Sequence, residues 1–214
     1  MNEPMEHIRK DPYRYVATIY DRLFNSMNKG LRLVGLRMYH PAPNSNILDV
    51  GCGTGAHLEL YSRDKCNLYG LDSSAAMLEV ARKRLDDAAT LDLCDATRMI
   101  YEDDKFDLIL SMLTMHEMLP HVRSQAMCEM KRVLKENGRL IVIDFNPGIP
   151  RSLQGWLSKA IIILSELAAG RDHYMNYRHF ISHGGLPTLL IQHDLTMEKK
   201  HILAGGTFLA CLAA

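Results

Sequence analysis

Apolar side chains recur every three or four residues between residues 12 and 40, a spacing that predicts helices at the start of the chain. Pro41 and Pro43 interrupt that pattern. Beyond them, short apolar runs alternate with segments of helical spacing. The apolar runs occupy 46–50, 67–72, 91–94, 106–111 and 139–145, and the helical segments follow Gly55 and cover 74–85 and 122–134. Strands that alternate with helices predict a parallel sheet covered on both faces.

The pattern changes after residue 146. Residues 150–193 are mostly helical and mix apolar, basic and aromatic side chains, so we expect a helical insertion that forms a lid. Two last apolar runs, 195–203 and 207–212, surround a Gly-Gly pair and predict an antiparallel hairpin. The expected fold is α/β: a doubly wound, Rossmann-like sheet of seven mostly parallel strands with a C-terminal antiparallel hairpin and a helical lid. We expect one domain, 1–214, with N-terminal helices at 12–40, a core at 46–146, the insertion at 150–193 and the hairpin at 195–213.

The first predicted strand runs directly into three glycines, Gly51, Gly53 and Gly55. Glycine adopts positive φ at little cost and lets a ligand lie against the backbone, so this loop predicts a nucleotide-like ligand. The spacing Gly51-x-Gly53-x-x-Ala56 also fits the dinucleotide fingerprint. Asp49, two residues before the first glycine, would repel a pyrophosphate and favours a cationic ligand.

Acids also end the second and third predicted strands, at Asp72 and Asp95. Because ligands of open α/β sheets bind at the carboxyl ends of the strands, these acids can hold a ribose and a base. Asp49-x-Gly51-x-Gly53-x-Gly55, these two acids and Cys94-Asp95-Ala96 together resemble class I S-adenosylmethionine-dependent methyltransferases. The resemblance covers 12–146 and, in outline, the terminal hairpin, and it implies S-adenosylmethionine as the cofactor.

The resemblance implies that the amino-acid end of the cofactor meets the glycine loop and Asp49. Asp72 would accept both ribose hydroxyls, and Asp95 and Ala96 would bind the adenine. Tyr20 would close over the cofactor and Met77 would pack on the adenine, with core packing as the alternative role of both. The implied cofactor residues are Tyr20, Asp49, Gly51, Cys52, Gly53, Asp72, Ser73, Met77, Asp95, Ala96 and Ser111.

The segment after the fourth strand is the expected site of acceptor chemistry. Methyl transfer from a sulfonium is an in-line displacement, and it needs a general base only when the acceptor must lose a proton. His116 is the candidate base and Glu117 its orienting partner, with a structural histidine at a helix start as the alternative. The lid resembles that of small quinone or lipid methyltransferases of the ubiquinone/menaquinone type. A helix packed on the sheet edge is the alternative for 156–167.

Composition excludes several classes of function. Lys plus Arg equals Asp plus Glu, at 25 each, whereas a dedicated nucleic-acid binder carries a basic excess. Five cysteines without a C-x-x-C pair disfavour both a disulfide framework and a zinc site. No apolar run reaches the roughly 18–20 residues of a membrane span, and the first residues lack the apolar segment of a signal peptide.

The leading hypothesis is S-adenosylmethionine-dependent methyl transfer to a small, apolar or aromatic acceptor. Carbon or oxygen is the favoured target and nitrogen the next. An NAD-dependent oxidoreductase is one alternative, and a non-catalytic partner subunit that retains the cofactor site is another. We expect a cytoplasmic monomer or homodimer with no metal and no nucleic-acid partner. Any membrane contact is expected through the lid alone.

Overall fold

Seven strands of the described chain form one sheet in the order β3-β2-β1-β4-β5-β7-β6. The computed structural model describes residues 11, 13–14, 17–62 and 65–214, without the side chains of 19–27. The strands are β1 Asn46–Val50, β2 Asn67–Asp72, β3 Ala89–Leu93, β4 Phe106–Met112, β5 Leu134–Phe145, β6 Met197–Leu203 and β7 Phe208–Ala213. Strands β1 to β5 pair in parallel, and β7 is antiparallel to both β5 and β6. This confirms the predicted sheet and its terminal antiparallel pair.

Six helices accompany the sheet in the described residues. They are α1 Ala17–Met38, α2 Ala75–Leu85, α3 Pro120–Val133, α4 Leu153–Ala169, α5 Arg171–Ser182 and α6 Gly185–Gln192. One apolar cluster joins α3 and α6 to the sheet, and a second joins α1 and α2 to the sheet. The helices therefore cover both faces, as a doubly wound sheet requires. Helices α4 to α6 make up the predicted insertion, and α6 is part of the core because Leu186 and Leu190 are fully buried.

Two connections differ from the prediction. After Gly55 the described chain forms one short 3₁₀ turn, Leu58–Tyr61, in place of a helix, because positive φ at the glycines keeps the backbone in turns almost to Leu58. Strand β5 begins at Leu134 and not at residue 139. Leu134 pairs with Phe106 and Arg139 with Leu108, so the residues between them form a bulge.

Helix α4 crosses very closely over the turn that precedes β7. A Cβ at Gly155 would collide with the carbonyl oxygen of Gly205, whereas a Cβ at Gly30 in α1 would have no neighbour within 4 Å. We therefore expect Gly155→Ala to lower the free energy of unfolding by ~1–3 kcal/mol through overpacking. Gly30→Ala, the matched control, should raise it by ~0.5–1 kcal/mol because alanine is the better helix former. Urea denaturation measures both, and equal stability of the two variants would contradict this packing.

Candidate active site

A cavity of about 520 Å³ lies at the carboxyl ends of the central parallel strands. Ten of the residues proposed from the sequence line it: Asp49, Gly51, Cys52, Gly53, Asp72, Ser73, Met77, Asp95, Ala96 and Glu117. The fold thus brings the glycine loop, the acids that follow two strands and the segment after β4 into one site.

The glycine loop has the backbone that only glycine adopts easily. Gly51, Gly53 and Gly55 have φ of 73°, 52° and 74°. A Cβ on Gly51 would lie 2.6 Å from Thr114 Cγ2, so the loop also depends on a small residue there. Beside Gly53 there is no atom within 4 Å of an added Cβ, which leaves that side of the backbone open to a ligand.

The Asp72 carboxylate fixes this loop. Its Oδ2 accepts a hydrogen bond from the Gly53 N–H and its Oδ1 accepts one from the Ser74 N–H, each at 2.8 Å. Burial raises the pKa of Asp72, while these backbone donors act to lower it. Ser74 in turn caps α2 by accepting from Met77 N.

The inner end of the cavity holds polar residues that the sequence reading missed. Asn28 and Arg32 of α1 and His57 after the glycine loop are buried and line the cavity with Asp49. Among the described residues, Asn28 Oδ1 and both ring nitrogens of His57 have no hydrogen-bond partner. The spacing of Asn28 and Arg32 was the sequence signal for these two residues. They are four positions apart, so they lie on the same side of α1, together with Leu31 and Gly35.

Asp49 is the buried acid of this inner end. Its pKa is raised to about 7. Burial is the largest cause, the Arg32 charge opposes it by lowering the pKa, and the Asp72 charge raises the pKa as well. His57 remains neutral because burial, and then Arg32, lowers its pKa to about 3. Protonation of Asp49 near neutral pH therefore changes the charge that a ligand meets.

Glu117 supplies a carboxylate to the cavity wall from the segment that follows β4. The Tyr13 hydroxyl donates to it, at 2.8 Å from Oε1 and 2.9 Å from Oε2. Asn176 of α5 donates its side-chain N–H to the Glu117 carbonyl at 2.7 Å. Burial raises the pKa of Glu117, and the nearby His116 and His173 lower it. The net shift is upward, which makes Glu117 a stronger base than an ordinary glutamate.

His116 does not line the cavity, although its neighbour does. Its Nδ1 lies 2.7 Å from Asp144 Oδ1, and its Nε2 lies 3.6 Å from Glu166 Oε1 and 3.9 Å from Glu117 Oε1. Burial opposes a charge on the ring, but Asp144, Glu166 and Glu117 outweigh it and raise the pKa of His116 to about 10. His116 is therefore a buried imidazolium behind the cavity wall, a state that does not favour the predicted role of base.

Ser111, Asp95 and Tyr20 differ in how far the structure supports their proposed contacts with the cofactor. Ser111 is buried, and it is absent from the cavity lining. Asp95 accepts the N–H and the hydroxyl of Thr97 on one oxygen, each at 2.8 Å. The side chain of Tyr20 lies outside the described residues, so its proposed contact stays a prediction.

The far end of the cavity is mixed in polarity. Met118, Leu119 and Val122 supply apolar surface at the start of α3. The polar residues there are His121, Gln125, His173 and Asn176. A small acceptor bound at this end would meet aliphatic side chains together with groups that can donate hydrogen bonds.

Comparisons with known proteins point to one family. A family model described as a methyltransferase domain matches residues 48–142. Methyltransferase GfsG of Streptomyces halstedii is 34% identical over 67% of this chain, and the match spans 53%, about half, of that protein's length. The ubiquinone/menaquinone biosynthesis C-methyltransferase UbiE of Burkholderia mallei is 27% identical over 91% of this chain and 86% of that protein. The PH0226 protein from Pyrococcus horikoshii OT3 shares the fold, with a TM-score of 0.69 and 18% identity over 95% of this chain and 98% of that chain.

The sheet and the glycine-lined cavity define a Rossmann-like protein with a nucleotide-type cofactor site. In these matches the chain is similar to the class I S-adenosylmethionine-dependent methyltransferases, whose cofactor is S-adenosylmethionine. The similarity favours a methyltransferase over the NAD-dependent oxidoreductase and the non-catalytic subunit considered above.

The charge state of Asp49 gives a pH test of the inner end. Below pH 7 the carboxyl is protonated, so it must lose its proton before it can meet the ligand's ammonium as an anion. We expect S-adenosylhomocysteine to bind about tenfold more weakly at pH 6 than at pH 8. In Asp49→Asn the affinity should be low and nearly flat with pH, whereas the exposed control Asp87→Asn should follow the wild type. Isothermal calorimetry measures this, and an unchanged pH dependence in Asp49→Asn would assign the titration to another group.

Proposed function

We propose that the chain transfers a methyl group from S-adenosylmethionine to a ring carbon of a small aromatic acceptor, a reduced quinone precursor. The observation that carries the proposal is the Glu117 carboxylate, which Tyr13 holds on the cavity wall next to the mixed far end. The C-methyltransferase name of the Burkholderia mallei relative supports carbon as the target. When bound, S-adenosylmethionine supplies a methyl group already activated on a sulfonium.

The inner end of the cavity suits the amino-acid part of the cofactor. The open backbone at Gly53 admits a ligand, and the buried Asp49 and Arg32 offer opposite charges to an ammonium and a carboxylate. The unsatisfied Asn28 oxygen offers a further acceptor for an ammonium N–H. Arg32 and Asn28 are therefore additions to the cofactor residues proposed from the sequence.

The two strand-end acids suit the nucleoside. Each Asp72 oxygen already accepts one backbone N–H and keeps a second lone pair, which is enough to accept a ribose hydroxyl. Asp95 uses one oxygen for Thr97, so the other can accept from the adenine amine. Met77 lines the cavity and is buried, so its flexible apolar side chain is suited to pack on the nucleoside.

Carbon methylation of a hydroquinone replaces a ring hydrogen by a methyl group, so one proton must leave the acceptor. We assign its removal to Glu117, whose pKa is raised by burial and whose carboxylate faces the cavity. His116 acts behind it as a positioning residue, because its buried positive charge lies 3.9 Å from Glu117 Oε1 and steadies the carboxylate. The original roles of the two residues are thus exchanged in the proposal.

Cofactor specificity gives the first test. S-adenosylhomocysteine at one hundred times its Kd should stabilise the native state by about 2.7 kcal/mol and raise the melting temperature, because it binds only the folded chain. NAD at the same concentration should leave the melting temperature unchanged. Differential scanning fluorimetry measures both, and stabilisation by NAD alone would overturn the cofactor assignment.

Glu117→Gln tests the proposed base. With a 2-alkyl-1,4-naphthohydroquinone as acceptor, turnover should fall by about 10²- to 10⁴-fold because the proton acceptor is lost. The rise of wild-type turnover with pH as Glu117 ionises should also disappear. S-adenosylhomocysteine affinity should stay within about twofold, since the amide preserves the shape of the side chain. The exposed control Glu136→Gln should keep wild-type turnover, and full activity of Glu117→Gln would remove Glu117 from the mechanism.

A further inference from the structure

Helix α4 exposes a continuous apolar surface. This surface, the α4 face, comprises Leu153, Trp156, Leu157, Ile161, Leu164 and Leu167. Their exposed fractions run from 50% for Leu167 to 90% for Leu153. At about 100° per residue these positions fall within an arc of roughly 140° on the helix. A contiguous apolar surface of this kind on a folded chain marks a binding site for another protein or for a membrane.

The opposite side of α4 packs against the rest of the protein. Gly155, Ile162 and Glu166 are the buried residues of α4, and they lie on the side turned towards α5 and the turn before β7. Packing of α4 on the chain therefore leaves the α4 face uncovered by the described residues. Among the described helices, none combines the length and the apolar content that a membrane span requires.

Positive charge lies at both ends of the α4 face. Arg151 precedes the helix and Arg171 follows it, both exposed, whereas the half-buried Lys159 lies about 60° outside the apolar arc, between Trp156 and Glu166. None of the three forms an ion pair within the described part of the chain. The one acid of α4, Glu166, is turned inward, and Asp172 is an exposed acid beyond its C-terminal end. The exposed surface of α4 is thus apolar along its centre and carries an arginine at each end.

We infer that the α4 face binds the surface of an anionic phospholipid bilayer, with α4 lying in the plane of the interface. Apolar side chains would enter the headgroup region, while the arginines at the two ends of the helix pair with lipid phosphates. A second copy of the chain fits less well. In a two-fold contact the same patch meets itself, so four arginines, Arg151 and Arg171 of each copy, would face only two acids, Asp172 of each, whereas a lipid surface offers a phosphate to every arginine.

The bound helix connects directly to the proposed site. Glu166, on the inner side of α4, lies 3.6 Å from His116, which adjoins Glu117 on the cavity wall. Bilayer binding would hold the cavity near the source of an apolar acceptor. That consequence rests on the proposed function, whereas bilayer binding itself does not.

Trp156 gives a direct test because it is the one tryptophan of the chain and lies on the α4 face. With vesicles of equal phosphatidylglycerol and phosphatidylcholine, we expect a blue shift of Trp156 emission and co-sedimentation of the protein. Both should weaken with phosphatidylcholine alone and at high salt, because the cations contribute to binding. Equal binding to neutral vesicles, or none to anionic ones, would overturn the inference.

Variants locate the binding on the α4 face. Leu157→Glu combined with Leu164→Glu should weaken vesicle binding at least about tenfold, since two charges replace apolar side chains. Gln192→Glu, which adds a charge at an exposed position outside α4, should lose far less. Both variants should keep the thermal shift with S-adenosylhomocysteine, which separates lipid binding from folding and from the cofactor site. If the wild type instead forms a lipid-free dimer that the double variant dissociates, the face binds a second copy and the inference fails.

Discussion

The cavity depends on one carboxylate that joins the ends of two strands. β1 and β2 pair in register up to Val50 and Leu71, so Asp72 emerges beside the glycine turn. Its two oxygens hold Gly53 and Ser74, and Ser74 then caps α2. A neutral amide in place of Asp72 would accept on one side chain atom only. The acid that ends β2 therefore helps to hold the glycine turn in the conformation that leaves its backbone open to the cavity.

A second group of buried charges is centred on His116, behind the cavity wall that carries Glu117. The His116 imidazolium bridges Asp144 of β5 and Glu166 of α4, while Asp144 also accepts the backbone N–H groups of His116 and Phe145. Removal of one member of such a system strands a buried charge, which is strongly destabilising. The imidazolium thus fixes the loop after β4 against β5 and α4. Because Glu117 is the next residue in that loop, the same contacts determine its position.

The sequence predicted the sheet correctly and identified most of the strand-end residues that line the cavity, because both rest on local rules. Strand runs, glycines that need positive φ and acids at strand ends are all readable from spacing. The acceptor end was harder, since His116 and Glu117 are adjacent and spacing does not tell which of them faces a cavity. Arg32 was hidden for a similar reason: helical periodicity gives the side of α1 on which it lies and not what that side meets. The bulge at the start of β5 depends on pairing with Phe106, which is a contact between distant segments.

The requirements of folding explain the residues on the inner side of helix α4 but not those on its outer side. Its inner residues are set by close contact with Gly205 and by the charge system at His116, and a polar outer side would satisfy both. Exposed leucines and isoleucines add nothing to that attachment, and they expose the chain to unspecific association in water. The outer side is therefore explained by what it meets and not by the fold. Because α4 is held on its inner side through Glu166 and is apolar on its outer side, the proposed bilayer contact would be rigidly connected to the cavity wall that carries Glu117.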